Sequence, residues 1–189
     1  MQQLRTFIQN LSPEITDLEL DYIIGKFKIK LFGKDKFLIK EQQICTDFSI
    51  VEKGCFRIFY KKEDREINSW FAFELTPITE MHSFITQKPS DYYIQAVESS
   101  EVYSISHTDL KELYRQFNSF QKFGFQLTEI ILVKVIERLK AFQFETAEER
   151  YNKILHDQNY TQRLPLKDLA SFLGVTPNSL SRLRNNFKK

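Results

Sequence analysis

LKDLASFLGVTPNSLSRLRNN, residues 166–186, carries two short helical patterns on either side of a break. Leu166, Leu169, Ala170 and Leu173 share one face of the first pattern. Gly174 follows its last turn, where a left-handed backbone costs glycine little. Thr176 can cap a second helix and Pro177 can open it, since its missing N–H would be unpaired there anyway. Leu180 and Leu183 fall inward, while Asn178, Ser181, Arg182 and Asn185 fall outward. Ala170 is small where a second helix must cross closely. The pattern predicts two helices joined by a tight turn, with a polar and basic outer face on the second.

That face has the chemistry to read DNA. A guanidinium can take guanine O6 and N7 together, and an Asn amide can pair with adenine N6 and N7. The first turn of the second helix offers N–H groups and a positive dipole end to a phosphate. The candidate DNA-contacting residues are Lys167, Thr176, Pro177, Asn178, Ser179, Ser181, Arg182 and Asn185, with Lys188 and Lys189 as added phosphate contacts. A plain helical hairpin with solvated charges is the alternative reading of the same residues. Charge supports the first: six basic residues and one acid follow from Arg163 onward, whereas the whole chain is only +2. A basic end on a near-neutral body suits an anionic polymer.

Upstream lies the longest helical pattern, 118–144, which would extend about 35–40 Å. Within it Thr128, Leu132, Val135, Leu139 and Phe142 recur at steps of four and three, the spacing of a coiled-coil seam. Ile130, Ile131, Val133 and Ile136 widen the apolar surface, so this helix is expected to be covered on two sides, one by the β unit and the other by a second copy of the chain, the alternative being a central helix in a monomer's core. Thr146 and Glu149 form a capping box that starts the next helix, running to about His156.

Residues 26–105 read differently. "KFKIKLF", "KFLIK", "FSIVEKGCFRIFYK", "REINSWFAF" and "YYIQAVESSEVYSIS" alternate or run apolar, separated by turn-rich segments. They predict an antiparallel β unit closing as a roll or sandwich. The connection 74–90 is long and should hold one helical turn. Ser106 is placed to cap the helix that follows the last strand, with Asp109 three residues on. At the other end, "SPEITDLELDYII" (12–24) predicts a helix capped by Ser12, with Ile15, Leu18 and Tyr22 on one face. The fold class expected is α+β: an N-terminal jelly-roll-like β-roll with flanking helices (1–117), a long dimerisation helix (118–144) and an all-α C-terminal unit (145–189).

Composition narrows the function classes. The 18 Phe residues are core material, and Gly and Pro are scarce at five each. Cys45 and Cys55 are too few for a four-cysteine zinc site or an iron–sulfur cluster, and no metal site is expected. "MQQLRTFIQNLSPEIT" lacks the apolar core of a signal peptide, and no run reaches a membrane span, so a reducing cytoplasmic setting and no membrane partner are expected. No nucleophile–base signature, zinc-protease motif or phosphate-cradling glycine loop is present, and the chain is not expected to be an enzyme.

Taken together, a β unit, a long helix and the closing run "AEERYNKILHDQNYTQRLPLKDLASFLGVTPNSLSRLRNNF" resemble the Crp/Fnr family of bacterial transcription regulators, most closely a subgroup common in Bacteroidetes. The resemblance spans essentially the whole chain. It implies a cyclic-nucleotide-binding-like roll, a dimerising helix, a helix-turn-helix with its reading helix at 177–187, and base-reading positions at Pro177, Asn178, Ser181 and Arg182. The expected partners are double-stranded DNA carrying an inverted repeat and a second copy of the chain; an activating role would add RNA polymerase. Only "NYTQRLP" precedes the motif, so no full β-wing is expected.

The resemblance fails at one place. Relatives that bind cyclic AMP carry a Gly-Glu pair and an Arg followed by Ser or Thr, the Arg pairing with the phosphate and the Glu with the ribose. Here those steps fall near Glu80-Met81 and at Ser90-Asp91. No Arg lies between Glu66 and Tyr114, and a buried phosphate without a cation is costly. Cyclic AMP is therefore not expected to bind in the family's usual way, and no cofactor is expected. A haem sensor would have only the lone His82 and His107 in the roll as axial ligands. The candidate effector pocket is Glu80, His82, Ser83, Phe84, Ser90, Asp91 and Tyr92, for a different small molecule or for none. A ligand- or protein-binding roll with a vestigial DNA unit is the alternative function.

Overall fold

The computed structural model describes residues 1–186. In chain order the elements are α1 (Gln2–Leu11), α2 (Asp17–Gly25), β1 (Lys28–Phe32), β2 (Phe37–Ile39), β3 (Asp47–Lys53), β4 (Phe56–Lys62), β5 (Arg65–Ala72), β6 (Pro77–Ile78), α3 (Met81–Thr86), β7 (Tyr93–Ala96) and β8 (Ser100–Ser106). They are followed by α4 (His107–Gln116), α5 (Asn118–Phe144), α6 (Ala147–Ile154), α7 (Gln158–Gln162), α8 (Leu166–Leu173) and α9 (Pro177–Asn186). No helix among the described residues is long and apolar enough to cross a membrane.

The strands form two four-stranded sheets, ordered β1-β8-β3-β6 and β2-β7-β4-β5. Pairing is antiparallel: Ile50 faces Tyr103, Val51 faces Val102 and Ile29 faces Tyr103 from the other side. Because sequence neighbours such as β7 and β8 sit in different sheets, the strands wind as a roll rather than a meander. Every strand run read from the sequence is present, and the connection 74–90 holds both the short strand β6 and the helix α3.

The chain divides into two compact units: Met1–Ile58 with Phe71–Leu132, and Phe59–Trp70 with Val133–Lys189. α5 is continuous across the boundary, and the outer part of the β4–β5 hairpin groups with the C-terminal helices. In the first unit Leu4 and Ile8 of α1 are fully buried, and Phe7 meets Phe123 of α5 edge-on, with ring centroids 6.0 Å apart. Phe120 and Phe123 stack at 5.2 Å, and Leu127 completes the buried start of α5.

The first helices correct the sequence reading. Ser12 does not cap a helix at 12–24; it closes α1, its N–H donating to Ile8 O. α2 starts at Asp17, where Thr16 and Glu19 form a reciprocal capping box. Leu18 and Tyr22 consequently point outward, and Leu20, Ile23 and Ile24 are buried instead. The other caps match their reading. Ser106 accepts the Asp109 N–H at 3.0 Å, and Thr146 accepts the Glu149 N–H at 3.2 Å.

The Thr146 N–H returns to Glu149 Oε2 at 2.7 Å, and this holds the Glu149 carboxyl below its ordinary pKa. A carboxyl lowered by folding stabilises above its unfolded pKa, and that support fades as pH falls through the lowered value. Thr146→Ala is expected to cost about 1 kcal/mol. The check is the unfolding midpoint at pH 7, where the difference should exceed that at pH 3.

Candidate nucleic-acid interface and roll pocket

α8 ends where the sequence requires it to. Gly174 has φ 73°, the Gly174 N–H donates to Ser171 O, and the Val175 N–H reaches back to Ala170 O at 3.0 Å. These two bonds make a Schellman closure, which satisfies carbonyls that a helix end leaves open. Thr176 Oγ1 then accepts the Ser179 N–H at 3.2 Å and caps α9, which starts at the next residue. Leu169, Ala170 and Leu173 of α8 and Leu180 of α9 are buried, so the two helices meet on the faces read from the sequence.

The remaining face of α9 is open. Pro177, Asn178, Ser179, Arg182 and Asn185 are exposed, as are Thr176 and Lys167, and Ser181 is half-buried. The structure thus brings the candidate contacts of α9 onto one outward surface. Arg184, the other arginine of α9, is turned partly inward, and its Nη2 is buried without a hydrogen-bond partner among the described residues. Lys188 and Lys189 lie outside the described residues. Between α6 and α8 the chain forms α7 and a turn, not strands.

A feature the sequence did not signal lies on the other side of α8. Ser171 Oγ donates to Glu66 O at 3.0 Å and accepts the Asn68 N–H at 2.9 Å. β5 is the last strand of its sheet, so one hydroxyl of α8 closes two groups of its open edge. Asn68 and Asp168 are both buried, and the Asn68 amide reaches Asp168 Oδ1 at 3.4 Å.

Along α5 the predicted seam is available. Thr128, Leu132, Val135, Leu139 and Phe142 are all exposed in the single chain, Leu132 and Leu139 at 55%. Thr128 Oγ1 donates to Gly124 O at 2.8 Å, which turns its methyl away from the backbone.

In the roll, the candidate pocket residues scatter. Ser83, Phe84 and Ser90 are internal, while His82 and Asp91 are exposed and Tyr92 is half-buried. Ser83 Oγ accepts the Cys45 N–H at 2.9 Å and donates to Lys88 O. Ser90 Oγ bridges the Tyr92 N–H and C=O at 3.0 Å each. Phe84 packs on Phe48 and on the ring of His107. These side chains hold the connection together. Glu80 caps α3, its two oxygens accepting the N–H groups of His82 (3.2 Å) and Ser83 (2.8 Å). The helix start that would attract an anion already holds a carboxylate, which is 7% exposed. Cys45 is buried nearby, and burial pushes its thiol up.

Against known proteins, no curated sequence matches this chain. Among solved structures, FixK2 from Bradyrhizobium japonicum is 15% identical, with a TM-score of 0.74 over 86% of this chain and 84% of its own. A CooA mutant from Carboxydothermus hydrogenoformans is 18% identical, with 0.70 over 94% and 87%. The c-di-GMP responsive global regulator CLP of Xanthomonas campestris is 15% identical, with 0.70 over 92% of both chains. Residues 29–117 match the family model of the cyclic nucleotide-binding domain, and along nearly its full length the chain has the α+β fold of these three structures, an antiparallel roll followed by a long helix and C-terminal helices.

Proposed function

We propose that this chain is a homodimeric, sequence-specific DNA-binding transcription regulator of the Crp/Fnr type, acting in the cytoplasm. The observation that carries the reading is the outward face of α9, where Asn178, Arg182 and Asn185 stand exposed on a helix fixed at its start by Thr176 and at its back by Leu180. Two such helices, brought together by the α5 seam, would enter successive major grooves about 34 Å apart and read an inverted repeat. The Glu80 carboxylate on α3 and the lack of an Arg from Glu66 to Tyr114 argue against cyclic AMP in the roll.

Selection of bound fragments from random duplex DNA, with wild type and Arg182→Ala in parallel, tests this. Wild type should enrich an inverted repeat. The variant should lose about 1–3 kcal/mol and relax the preference at one position per half-site. Full affinity and unchanged preference in the variant would remove α9 from the interface. Binding without site preference, lost in moderate salt, would favour a roll module whose DNA unit is vestigial.

A further inference from the structure

The second unit carries an open cleft of about 560 Å³, between the end of α5, α6, α7, the end of α8 and Trp70. That is the size of an ordinary small-molecule cleft. Its wall is a column of rings and guanidinium groups. Tyr160 stacks on Phe172 at 5.6 Å, the Arg138 guanidinium lies 3.7 Å from the Phe172 centroid and 4.8 Å from that of Phe142, and Arg150 lies 4.7 Å from Phe142.

The two arginines differ in what they have left to give. Arg150 is committed: its Nε and Nη2 donate to Leu173 O at 3.2 and 2.9 Å, and its Nη1 reaches Ala141 O and Glu145 O. It closes the carbonyl ends of α8 and α5. Arg138 donates once, from Nη2 to Phe172 O at 3.1 Å. No carboxylate among the described residues lies within ion-pair distance of it. Burial, with Arg150 adding to it, brings the Arg138 pKa down to about 10, so it stays charged at neutral pH. A half-buried cation held on aromatic faces, with one hydrogen bond inside the protein and no carboxylate partner, keeps N–H groups on the cleft that a bound anion would accept.

The rim has the same sign. Lys134, Lys140 and Lys153 face the cleft against Glu137 and Glu145, and Glu145 Oε1 is already held by Lys153 at 2.5 Å. Bare phosphate would leave the Trp70 ring unused. A flat body with one carboxylate uses both, through the paired N–H geometry that guanidinium offers a carboxylate.

We propose that this cleft is a binding site for a small planar organic acid, its carboxylate on Arg138 and its ring against Trp70. The site is distinct from the roll pocket around Glu80 and Ser83 and does not depend on DNA binding. It places a ligand in the same compact unit as α8 and α9.

Trp70 is the only tryptophan in the chain, so its fluorescence reports on this wall. The full-length protein would be titrated with benzoate, benzamide, cyclohexanecarboxylate and inorganic phosphate. Benzoate should give a saturable change. Benzamide should bind at least tenfold more weakly, and the non-planar acid and phosphate should also be weaker. Arg138→Gln should weaken benzoate at least tenfold. Lys134→Gln, at an exposed position that does not threaten folding, should weaken it about two- to threefold through the loss of rim charge. A flat titration with benzoate overturns the proposal. So does an equal response to benzamide or phosphate, or wild-type affinity in a folded Arg138→Gln variant. If Arg138→Gln does not fold, the benzamide comparison and Lys134→Gln decide.

Discussion

Gly54→Ala is expected to lower the unfolding free energy by about 3–5 kcal/mol, through strain at a left-handed residue combined with overpacking. Gly54 turns the chain from β3 into β4 at φ 96°. A Cβ there would stand 2.2 Å from Ser100 Oγ, 2.7 Å from its Cβ and 2.8 Å from its Cα. The last atom is backbone in β8, which also pairs with β1 and β3, so it cannot simply rotate aside. The Ser100 hydroxyl that would be displaced accepts the Cys55 N–H at 3.2 Å and donates to Glu98 O at 2.8 Å. Urea unfolding measures the loss as a lowered midpoint at constant slope. Gly33→Ala is the internal comparison. Its Cβ would meet only Lys36 Cγ at 3.8 Å, and its cost should stay within about 0.5 kcal/mol. Equal costs at the two positions would show that the Gly54 turn relaxes and that the close approach is not a constraint.

The second large effect concerns self-association. Leu139→Asp should raise the dimer dissociation constant about a thousandfold, equivalent to about 4 kcal/mol, by setting two carboxylates against an apolar seam. Leu139 is 55% exposed in the single chain, so the protomer should keep its circular dichroism and unfolding midpoint. Sedimentation equilibrium reads the change directly. Affinity for the selected DNA should fall with it, since each protomer then binds one half-site alone. A dimer that survives unchanged would move the contact to the neighbouring stripe of Val133 and Ile136, which are also exposed.

What the sequence disclosed and what it hid divide along sequence distance. The turn at Gly174, the caps at Ser106, Thr146 and Thr176 and the limits of α5 are set by residues within a turn of one another, and each is where the local chemistry puts it. The strands were legible because short runs rich in Phe, Ile, Tyr and Val, alternating or continuous, stand between turn-rich segments. The error at α2 was also local. Ser12-Pro13 has the chemistry of a helix start, but Thr16 and Glu19 offer a reciprocal pair three residues on, and the closing of α1 had already used Ser12. The exposure of α9 was readable from its own period. The role of Glu80 was not, since the same carboxylate suits a ribose hydroxyl or a helix start, and only the backbone decides. The buried contacts of Arg138 and of Asp168 join residues 34 and 100 positions apart, and no local pattern announces them.

The pairing of Ser171 with Asn68 and Glu66 bears on how the protein is made. The two sides of that contact are separated by about a hundred residues (103 for Asn68). At synthesis rates of about 5–20 residues per second, β5 leaves the ribosome about 5–20 s before the hydroxyl that closes it exists. During that interval the nascent roll presents a free strand edge, the feature through which β proteins join one another. Shielding of the edge thus comes from a helix translated about a hundred residues later. Chains stopped before Leu166 should therefore accumulate as strand-paired aggregates rather than as soluble rolls, and a helper that holds the hairpin during translation would raise the yield of the full-length protein more than any change in the roll's own core.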